Sequence, residues 1–490
     1  MEPQGNGDPK KADFTEPEPP LAQILQHEAA VEEALARQSE VTAHQSEATA
    51  HQMAAYSRLA VHSQPVLRLG RMLLGAGASA FRVKASMAKV ARSIGIQEHQ
   101  AVVTLNEIIA TSYAAGTFRT EVVEQRGVGV NATTIDRLNR FVSTIPPQIT
   151  ADEVDRELDE IARQKAPYGA FLNALAAGFA CAGFSFLNGG GIVQIIAVFV
   201  AALFGQAFRR WLLRRGYNHF GVWMASSAVA GMLFIGCVVL IEQFTHATYP
   251  HHGGIVAATL FLVPGFPLVT SIIEMVRQDF SASIPRLVYS TGLVIAAASA
   301  LWVVTHVFSW PIANSAPPSL PVSALIPLQF LASFAASFGF AMLFVAQPKA
   351  CLWAASIGAV INTVRLVVTE AGLPRQLVIF AAALLIGLAA AVVARHTRFS
   401  RVSLSVPGAV IMIPGVYLYQ ALAAANEQQM SIALENLSSV MLSLTAVGVG
   451  LAAARLLTDH TWRVDKTADI PSVWRPYEDV PADGLHPHGH

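Results

Sequence analysis

The sequence contains few cysteines and few charged residues, and each shortage excludes a class of protein. The three cysteines lie far apart within apolar runs, at Cys181, Cys237 and Cys351. This spacing excludes a disulfide framework and a paired-cysteine metal site. Charged residues make up 13% of the chain, whereas soluble proteins contain about 25%. Because 53% of the residues are hydrophobic, the charge is too low to cover a soluble surface, and we expect much of the chain to lie in lipid.

Signatures of catalysis and of nucleic-acid binding are also missing. Basic and acidic residues both number 33, and no basic stripe carries the interleaved aromatic residues of nucleic-acid-binding proteins. The glycine-rich segment Gly75–Ser79 lacks the lysine and the preceding strand of a phosphate-binding loop, so we interpret it as a helix break capped by Ser79. The sequence contains no nucleophile elbow, HExxH motif or paired catalytic carboxylates. We therefore predict no enzyme activity, no cofactor, no metal site and no nucleic-acid partner.

The first 166 residues are more polar and divide into three regions. Residues 1–20 are acidic and rich in proline, which predicts a disordered tail. Residues 21–62 are rich in Ala, Glu, Gln and His, which predicts a helical arm that serves assembly, for example as a homo-oligomer. Residues 63–166 mix helical and β-branched segments, which predicts a small cytoplasmic α+β domain. Its predicted elements are helices at 67–74, 80–94, 134–144 and 151–163 and strands at 101–105, 108–113 and 118–124.

From Tyr168 onward, about ten apolar runs of roughly 17 to 24 residues recur, each long enough to cross a bilayer. They predict an all-α membrane region with a first five-helix half at 167–310 and a second at 311–457, followed by a cytoplasmic tail at 458–490. The predicted spans are 169–187, 190–208, 221–242, 253–272, 287–309, 324–346, 350–368, 374–394, 403–424 and 433–455.

Positive residues concentrate in alternate loops between these spans. The loops on one side contain almost all the arginine and lysine, whereas Arg375 alone is positive on the other. Since positive loops stay in the cytoplasm, we expect a multi-pass protein of the inner (plasma) membrane with both termini cytoplasmic. The inner positive residues are Arg209, Arg210, Arg214, Arg215, Arg277, Arg286, Lys349, Arg395, Arg398 and Arg401.

Two spans contain a Pro-Gly pair near their middle, Pro264-Gly265 in the fourth and Pro414-Gly415 in the ninth. Each pair lies about 11 residues from the start of its span, or about 16 Å along a helix, close to the bilayer midplane. Each is the fourth span of its half, and an odd number of spans per half inverts the second half. The sequence therefore predicts a 5+5 inverted repeat, a common design of alternating-access transporters.

The Pro-Gly pairs are candidate site residues because they release backbone groups at membrane depth. Proline removes a backbone donor and glycine admits unusual torsions. Free carbonyls and the amino terminus of a half-helix can then bind an ion or a small zwitterion. The alternative interpretation is a pair of packing kinks, which are frequent in membrane helices.

Polar residues within the spans are the next candidates, since charge at this depth is costly and usually functional. Asn362 and Arg365 share a helix face, and the arginine fork is suited to a substrate carboxylate. The alternatives for Arg365 are an interfacial position or a pair with Glu370. Glu274, at the cytoplasmic end of the broken fourth span, is a candidate proton site, with an interfacial carboxylate near Arg277 and Arg286 as the alternative.

The whole pattern resembles the threonine/serine exporter family over about residues 66–457. The resemblance rests on the stretch Leu73–Val83, on Leu262-Val263-Pro264-Gly265 and on Ile413-Pro414-Gly415, together with the two five-span halves. It implies export of small hydroxy amino acids driven by the proton gradient, with the N-terminal domain in the cytoplasm. Some relatives split the halves between two proteins and export dicarboxylates instead. The arm before residue 62 is outside the family pattern.

The two inverted halves predict a secondary active transporter, and the resemblance implies a proton-coupled antiporter that exports threonine and serine. Its expected partners are the amino-acid substrate, protons and the lipid bilayer. One alternative is an exporter of small dicarboxylates such as succinate. Another is a membrane-bound sensor with a cytoplasmic ligand domain, although the tail after Lys466 is short for an output domain. A channel would need a polar stripe along a span, which the sequence lacks.

Overall fold

A computed structural model of the chain describes residues 21–125, 127, 129–246, 254–310, 320–413 and 415–463. The predicted tail at 1–20, Pro414 of the second Pro-Gly pair and most of the C-terminal tail, residues 464–490, lie outside the described residues. The described chain forms a small N-terminal domain and a bundle of apolar helices. This confirms the predicted class, a helical membrane protein preceded by an α+β domain.

The N-terminal domain packs helices against a three-stranded antiparallel sheet of order β1-β2-β3, in agreement with the three predicted β segments. The last of these helices begins at a capping box, in which the side chains of Thr150 and Glu153 each accept a hydrogen bond from the backbone N–H of the other. The elements are α1 (Leu21–Gly75), α2 (Ala80–Ser93), β1 (Glu98–Val103), β2 (Glu107–Ala114), β3 (Thr117–Glu124), α3 (Ala132–Thr144) and α4 (Ala151–Arg163).

Helix α1 runs from Leu21 to Gly75 and therefore joins the predicted arm to the domain in one helix. The sequence predicts an end near residue 62, before Pro65. Pro65 removes one backbone hydrogen bond, but the helix continues because its last turns are held by tertiary packing. Leu69 and Leu73 in this part are fully buried, whereas residues 29–54 are exposed.

Eight described helices are long and apolar enough to cross a membrane, and a ninth span results if two helices bent by 49° count as one. The bent pair is α14 and α15, which together cover the predicted ninth span. The predicted fourth span is divided into three pieces, namely α8, a 3-10 turn at Leu260–Leu262 and α9. The helices are α5 (Ala170–Leu187), α6 (Ile192–Arg214), α7 (His219–Thr245), α8 (Gly254–Ala258), α9 (Gly265–Val276), α10 (Phe280–Val307), α11 (Val322–Leu343), α12 (Pro348–Glu370), α13 (Arg375–His396), α14 (Arg401–Val410), α15 (Gly415–Asn426), α16 (Met430–Thr458) and α17 (His460–Arg463).

Helices α5 and α11 pack closely against each other through small residues. A Cβ atom added at Gly183 would lie 2.6 Å from the carbonyl oxygen of Ala332. In the same way, a Cβ atom at Gly339 would lie 2.5 Å from the carbonyl oxygen of Ala176. Because neither distance leaves room for a methyl group, glycine at both positions allows the two backbones to touch, as is common between membrane helices.

Two pairs of helices at corresponding places before and after residue 311 have equal lengths. Helices α6 and α12 both contain 23 residues, and α9 and α15 both contain 12. The turns that follow these helices also match, since Gly216 and Gly372, two residues after the ends of α6 and α12, both have positive φ. Gln278 and Gln428, shortly after α9 and α15, also have positive φ, at 65° and 62°.

The N-terminal domain packs against one end of the bundle, which we call the domain side; the other end is the far side. On the domain side, Lys84 of α2 forms an ion pair of 2.5 Å with Asp279, which lies between α9 and α10. The hydroxyl group of Thr133 in α3 donates to the carbonyl oxygen of Val345, between α11 and α12, at 2.6 Å. The domain therefore contacts helices of both predicted halves.

Asp136 of α3 caps helix α14 from the domain. Its Oδ1 accepts hydrogen bonds from the backbone N–H of Ser400 at 2.9 Å and from the hydroxyl group of Ser403 at 3.1 Å. Burial raises the pKa of Asp136, while the hydrogen bonds from Ser400 and Ser403 oppose this rise. The carboxylate thus satisfies an N-terminal backbone donor of a helix that belongs to the bundle.

Candidate functional site

The two broken spans meet inside the bundle. A Cβ atom at Gly265, the first residue of α9, would lie 2.7 Å from Val410 of α14, and one at Gly415, the first residue of α15, would lie 3.0 Å from Leu260. Pro264 precedes α9 as its N-terminal cap residue, and Pro414 lies outside the described residues. Helices α9 and α15 therefore begin near each other, and the amino-terminal ends of both carry partial positive charge.

A cavity of about 190 Å³ lies beside the bend between α14 and α15. It is larger than a single water molecule requires. Two arginines contribute positive charge to its wall, and no described residue of the wall is acidic. The lining residues are Phe184, Leu187, Asn188, Arg365, Leu366, Thr369, Arg375, Ile411, Met412, Ile413, Val416 and Tyr417.

Of the two site residues that the sequence predicts in α12, Arg365 lines this cavity, and Asn362 lies behind Arg365 and bonds to it. The buried amide of Asn362 donates to the hydroxyl group of Ser333 at 2.8 Å and accepts from Nε of Arg365 at 2.8 Å. These bonds fix the orientation of the guanidinium group but use only one of its five N–H donors. Within the described part of the chain, its two terminal nitrogens have no hydrogen-bond partner. They are the groups that can receive a planar carboxylate.

Arg375 supplies the second positive charge of the cavity. Its guanidinium group lies 4.5 Å from the ring centre of Tyr417 and donates to the hydroxyl group of that residue. The charges of Arg365 and Arg375 repel each other. The carboxylate of Glu370 does not pair with Arg365 and instead accepts a hydrogen bond of 3.4 Å from Gln329. An anion in the cavity would relieve the repulsion between the two arginines.

Glu274 lies elsewhere, on the domain side. It forms an ion pair of 3.1 Å with Arg286, and both side chains are only 2% exposed. The other carboxylate oxygen accepts a hydrogen bond of 2.8 Å from the backbone N–H of Ala80, at the start of α2. Arg286 donates in turn to the carbonyl oxygen of Ala78 at 3.4 Å. The structure therefore separates Glu274 from the cavity that Arg365 lines and joins it to the domain.

The glycine-rich segment Gly75–Ser79 forms a loop next to this ion pair, and Arg286 bonds to it at Ala78. Gly77 has φ of +86°, and a Cβ atom there would lie 2.6 Å from the carbonyl oxygen of Gly129. The turn therefore needs glycine, both for its left-handed torsion and for the close approach of two backbones. The predicted helix break is present, but the side chain of Ser79 makes no capping hydrogen bond. Glu274 caps α2 in its place.

Sequence reasoning missed the polar groups around the break in the fourth span. Nη1 of Arg209 donates to the carbonyl oxygen of Phe261 at 2.8 Å, and the indole nitrogen of Trp223 donates to the carbonyl oxygen of Leu262 at 2.6 Å. The break releases these carbonyl groups from regular helical bonding, and the two side chains satisfy them. The sequence contains one signal for Arg209: an amide residue lies three positions before it, just as Asn362 lies three positions before Arg365.

Comparisons with known proteins agree with this architecture. The profile of the family described as "Putative threonine/serine exporter" matches residues 64–308, and that of "Threonine/Serine exporter, ThrE" matches residues 329–457. The probable succinate transporter subunit YjjP of Escherichia coli K12 is 23% identical over 231 residues, which cover 47% of this chain and 88% of that protein. Its counterpart from Klebsiella aerogenes is 22% identical over 239 residues, 49% of this chain and 90% of that protein. No solved structure matches the chain. With both profiles matched in order along the bundle, the chain belongs to the threonine/serine exporter family of membrane transporters and is not an enzyme.

Proposed function

We propose that the protein exports small hydroxy amino acids, threonine and serine, across the cytoplasmic membrane in exchange for protons. The observation that supports this proposal most directly is the cationic cavity beside the α14–α15 bend, in which Arg365 offers unpaired N–H donors. A bidentate bond from this fork to the substrate carboxylate fixes one end of the amino acid. Backbone carbonyl groups near the bend, at Ile411–Ile413, are suitable acceptors for its ammonium group.

An inverted repeat provides the motion that such a transporter needs. The equal lengths of α6 and α12 and of α9 and α15, with matching positive-φ residues after them, support a common fold of the two halves. In alternating access, one repeat moves against the other around the substrate. We propose that Pro264, Gly265, Pro414 and Gly415 keep both fourth spans broken, so that the half-helices move separately.

The domain side is proposed to be cytoplasmic, in agreement with the alternation of positive loops. For proton coupling we propose Glu274, a buried carboxylate at the domain-side end of a broken span. Protonation removes its charge and so weakens both the pair with Arg286 and the bond from Ala80. A proton there thus changes the link between α9 and the domain.

Counterflow of radiolabelled threonine in proteoliposomes, with and without an imposed pH gradient, tests this function. We expect saturable exchange that the gradient accelerates, competition by serine, and a strongly raised half-saturating threonine concentration in Arg365→Gln. A matched control is Arg398→Gln, an exposed arginine on the domain side. Two results together would contradict the proposal. Well-folded protein would exchange neither threonine nor serine, and Arg365→Gln would match wild type for every other solute tested.

Export of a dicarboxylate such as succinate is a second candidate, because a second arginine lines the same cavity. Arg375 could hold a second carboxylate, and both named relatives are described as probable succinate transporter subunits. Under this alternative, succinate exchanges in preference to threonine, and Arg375→Gln abolishes succinate exchange. Under the preferred proposal, Arg375→Gln alters threonine exchange far less than Arg365→Gln does.

A further inference from the structure

Arg209 of α6 holds the same place in its helix as Arg365 holds in α12. Each is the eighteenth of 23 residues. Three residues before each arginine, the helix carries a buried amide, Gln206 in α6 and Asn362 in α12. Gln206 donates to Asn173 of α5 at 2.7 Å, much as Asn362 donates to a residue of α11. The polar pattern and its helix partners therefore recur in both halves.

Arg209 also lies beside the break of its own half. The guanidinium group binds the carbonyl oxygen of Phe261, which stands four residues before Gly265, the first residue of α9. In the second half, the residue four before Gly415 is Ile411, which lines the cavity together with Arg365. Each arginine is thus adjacent to the corresponding turn of its broken span.

The two places differ in what occupies them. Beside Arg365 there is a cavity of about 190 Å³. Beside Arg209 the protein fills the space itself, because the guanidinium group lies 4.7 Å from the ring centre of Trp223 and bonds to Phe261. Nε of Arg209 is buried and has no hydrogen-bond partner within the described ranges. An unpaired buried donor is costly, so this arrangement leaves Arg209 incompletely satisfied.

We propose that Arg209 binds the substrate carboxylate in the state that opens toward the domain side. This inference rests on the proposed transport by two inverted halves, in which each half adopts in turn the conformation of the other. When the halves exchange conformations, Arg209 leaves the carbonyl group of Phe261 and turns its fork to the substrate. At the same time, the cavity beside Arg365 closes, and Arg365 donates a hydrogen bond to the carbonyl oxygen of Ile411. The ligand class is a small carboxylate, either an amino acid or a dicarboxylate.

Transport measured separately from each face of oriented vesicles tests this role. For Arg209→Gln, we expect the half-saturating substrate concentration to rise about tenfold or more on the domain side, the loss expected for a charge-assisted contact. On the far side it should change less than about twofold, whereas Arg365→Gln should show the opposite pattern. Arg210→Gln, the next residue of the same helix, serves as the matched control and should resemble wild type on both faces.

Two further variants distinguish loss of substrate binding from loosening of the packing around Arg209. Trp223→Phe removes the indole donor to Leu262 but keeps Arg209, so it should leave the half-saturating concentration on the domain side unchanged or lower it. Arg209→Lys keeps the charge without the planar fork and should give a smaller rise on the same face. If Arg209→Gln does not fold, the lysine variant carries the test by itself.

The proposal is overturned if folded Arg209 variants keep the wild-type half-saturating concentration on the domain side, or if it rises equally on both faces. It is also overturned if Trp223→Phe reproduces the rise, because loosening alone then explains it. Failure of the proposed function gives a different result, namely that wild-type protein exchanges no threonine, serine or succinate from either face.

Discussion

The buried ion pair of Glu274 and Arg286 constrains the contact between the bundle and the N-terminal domain. Each side chain is 2% exposed; besides its partner, Arg286 is bonded to Ala78 of the glycine-rich loop and Glu274 to Ala80, the first residue of α2. Two charges removed from water are tolerated only when they pair and their remaining groups are satisfied. Loss of one partner leaves an unpaired charge, which costs about 3–5 kcal/mol of stability. Any proton that reaches Glu274 therefore acts on the contact between α9 and the domain.

Glu274→Gln is expected to preserve threonine counterflow but to abolish its acceleration by an imposed pH gradient, because the amide cannot titrate. The amide oxygen can still accept the hydrogen bond from Ala80. Since Arg286 is then unpaired, the variant should unfold more easily than wild type, and the double variant Glu274→Gln/Arg286→Gln should recover part of the lost stability. Exchange that still responds to the gradient in folded Glu274→Gln protein would place the proton site elsewhere.

Among the helices, α5 and α11 pack closely because small residues face each other in a reciprocal arrangement. Gly183 of α5 faces the backbone of α11 at Ala332, and Gly339 of α11 faces the backbone of α5 at Ala176. Lipid gives no hydrophobic drive for helices to associate, so close backbone packing is a main source of their attraction. This contact joins one helix from each predicted half, and under the proposed alternating access it is the natural pivot.

Gly339→Ala is expected to destabilise the bundle by about 1–3 kcal/mol, the usual cost of overpacking, because the added methyl group meets a carbonyl oxygen. The midpoint of thermal unfolding in detergent measures this effect. Gly236→Ala on α7 is the matched control, since a Cβ atom there has no neighbour within 4 Å. Alanine at that position should be neutral or slightly stabilising. Equal midpoints for the two variants would contradict the packing argument.

On the scale of the whole molecule, the N-terminal domain bridges the two halves of the bundle. It contacts the first half through Ala80 and Lys84, and the second half through Thr133 and Asp136. A motion of one half against the other must therefore lengthen one of these sets of contacts or carry the domain with it. Under the proposed mechanism, docking of the domain and movement of the halves are therefore mechanically linked.

Asp136→Ala is expected to expose the amino terminus of α14, because the backbone N–H of Ser400 loses its acceptor. A hydrogen bond to a charged group contributes about 1.5–3 kcal/mol. Amide hydrogen exchange at Ser400–Ser403 should therefore accelerate about tenfold or more, as measured by mass spectrometry of the full-length protein. Asp152→Ala, an exposed aspartate of α4, is the control and should leave exchange there unchanged. Unchanged exchange in both variants would show that the carboxylate does not hold α14.

The sequence by itself determined the features that depend on local chemistry. Spans are visible because lipid requires about 20 consecutive apolar residues in each. The break at Pro264 and Gly265 is visible because proline cannot donate the backbone bond that a helix needs. The capping box at Thr150 and Glu153 lies within four residues, so its two members are close in the sequence as well as in the structure.

Only the tertiary structure decided which of these features act together. Arg365 meets the bend of α14 and α15 although about 50 residues separate them, and the hydrogen bond from Ala80 to Glu274 spans 194 residues. No local pattern encodes such pairs, because they form only when packing brings distant segments together. The same reason explains why α1 continues through Pro65, since burial of its last turns in the domain outweighs the bond that proline removes.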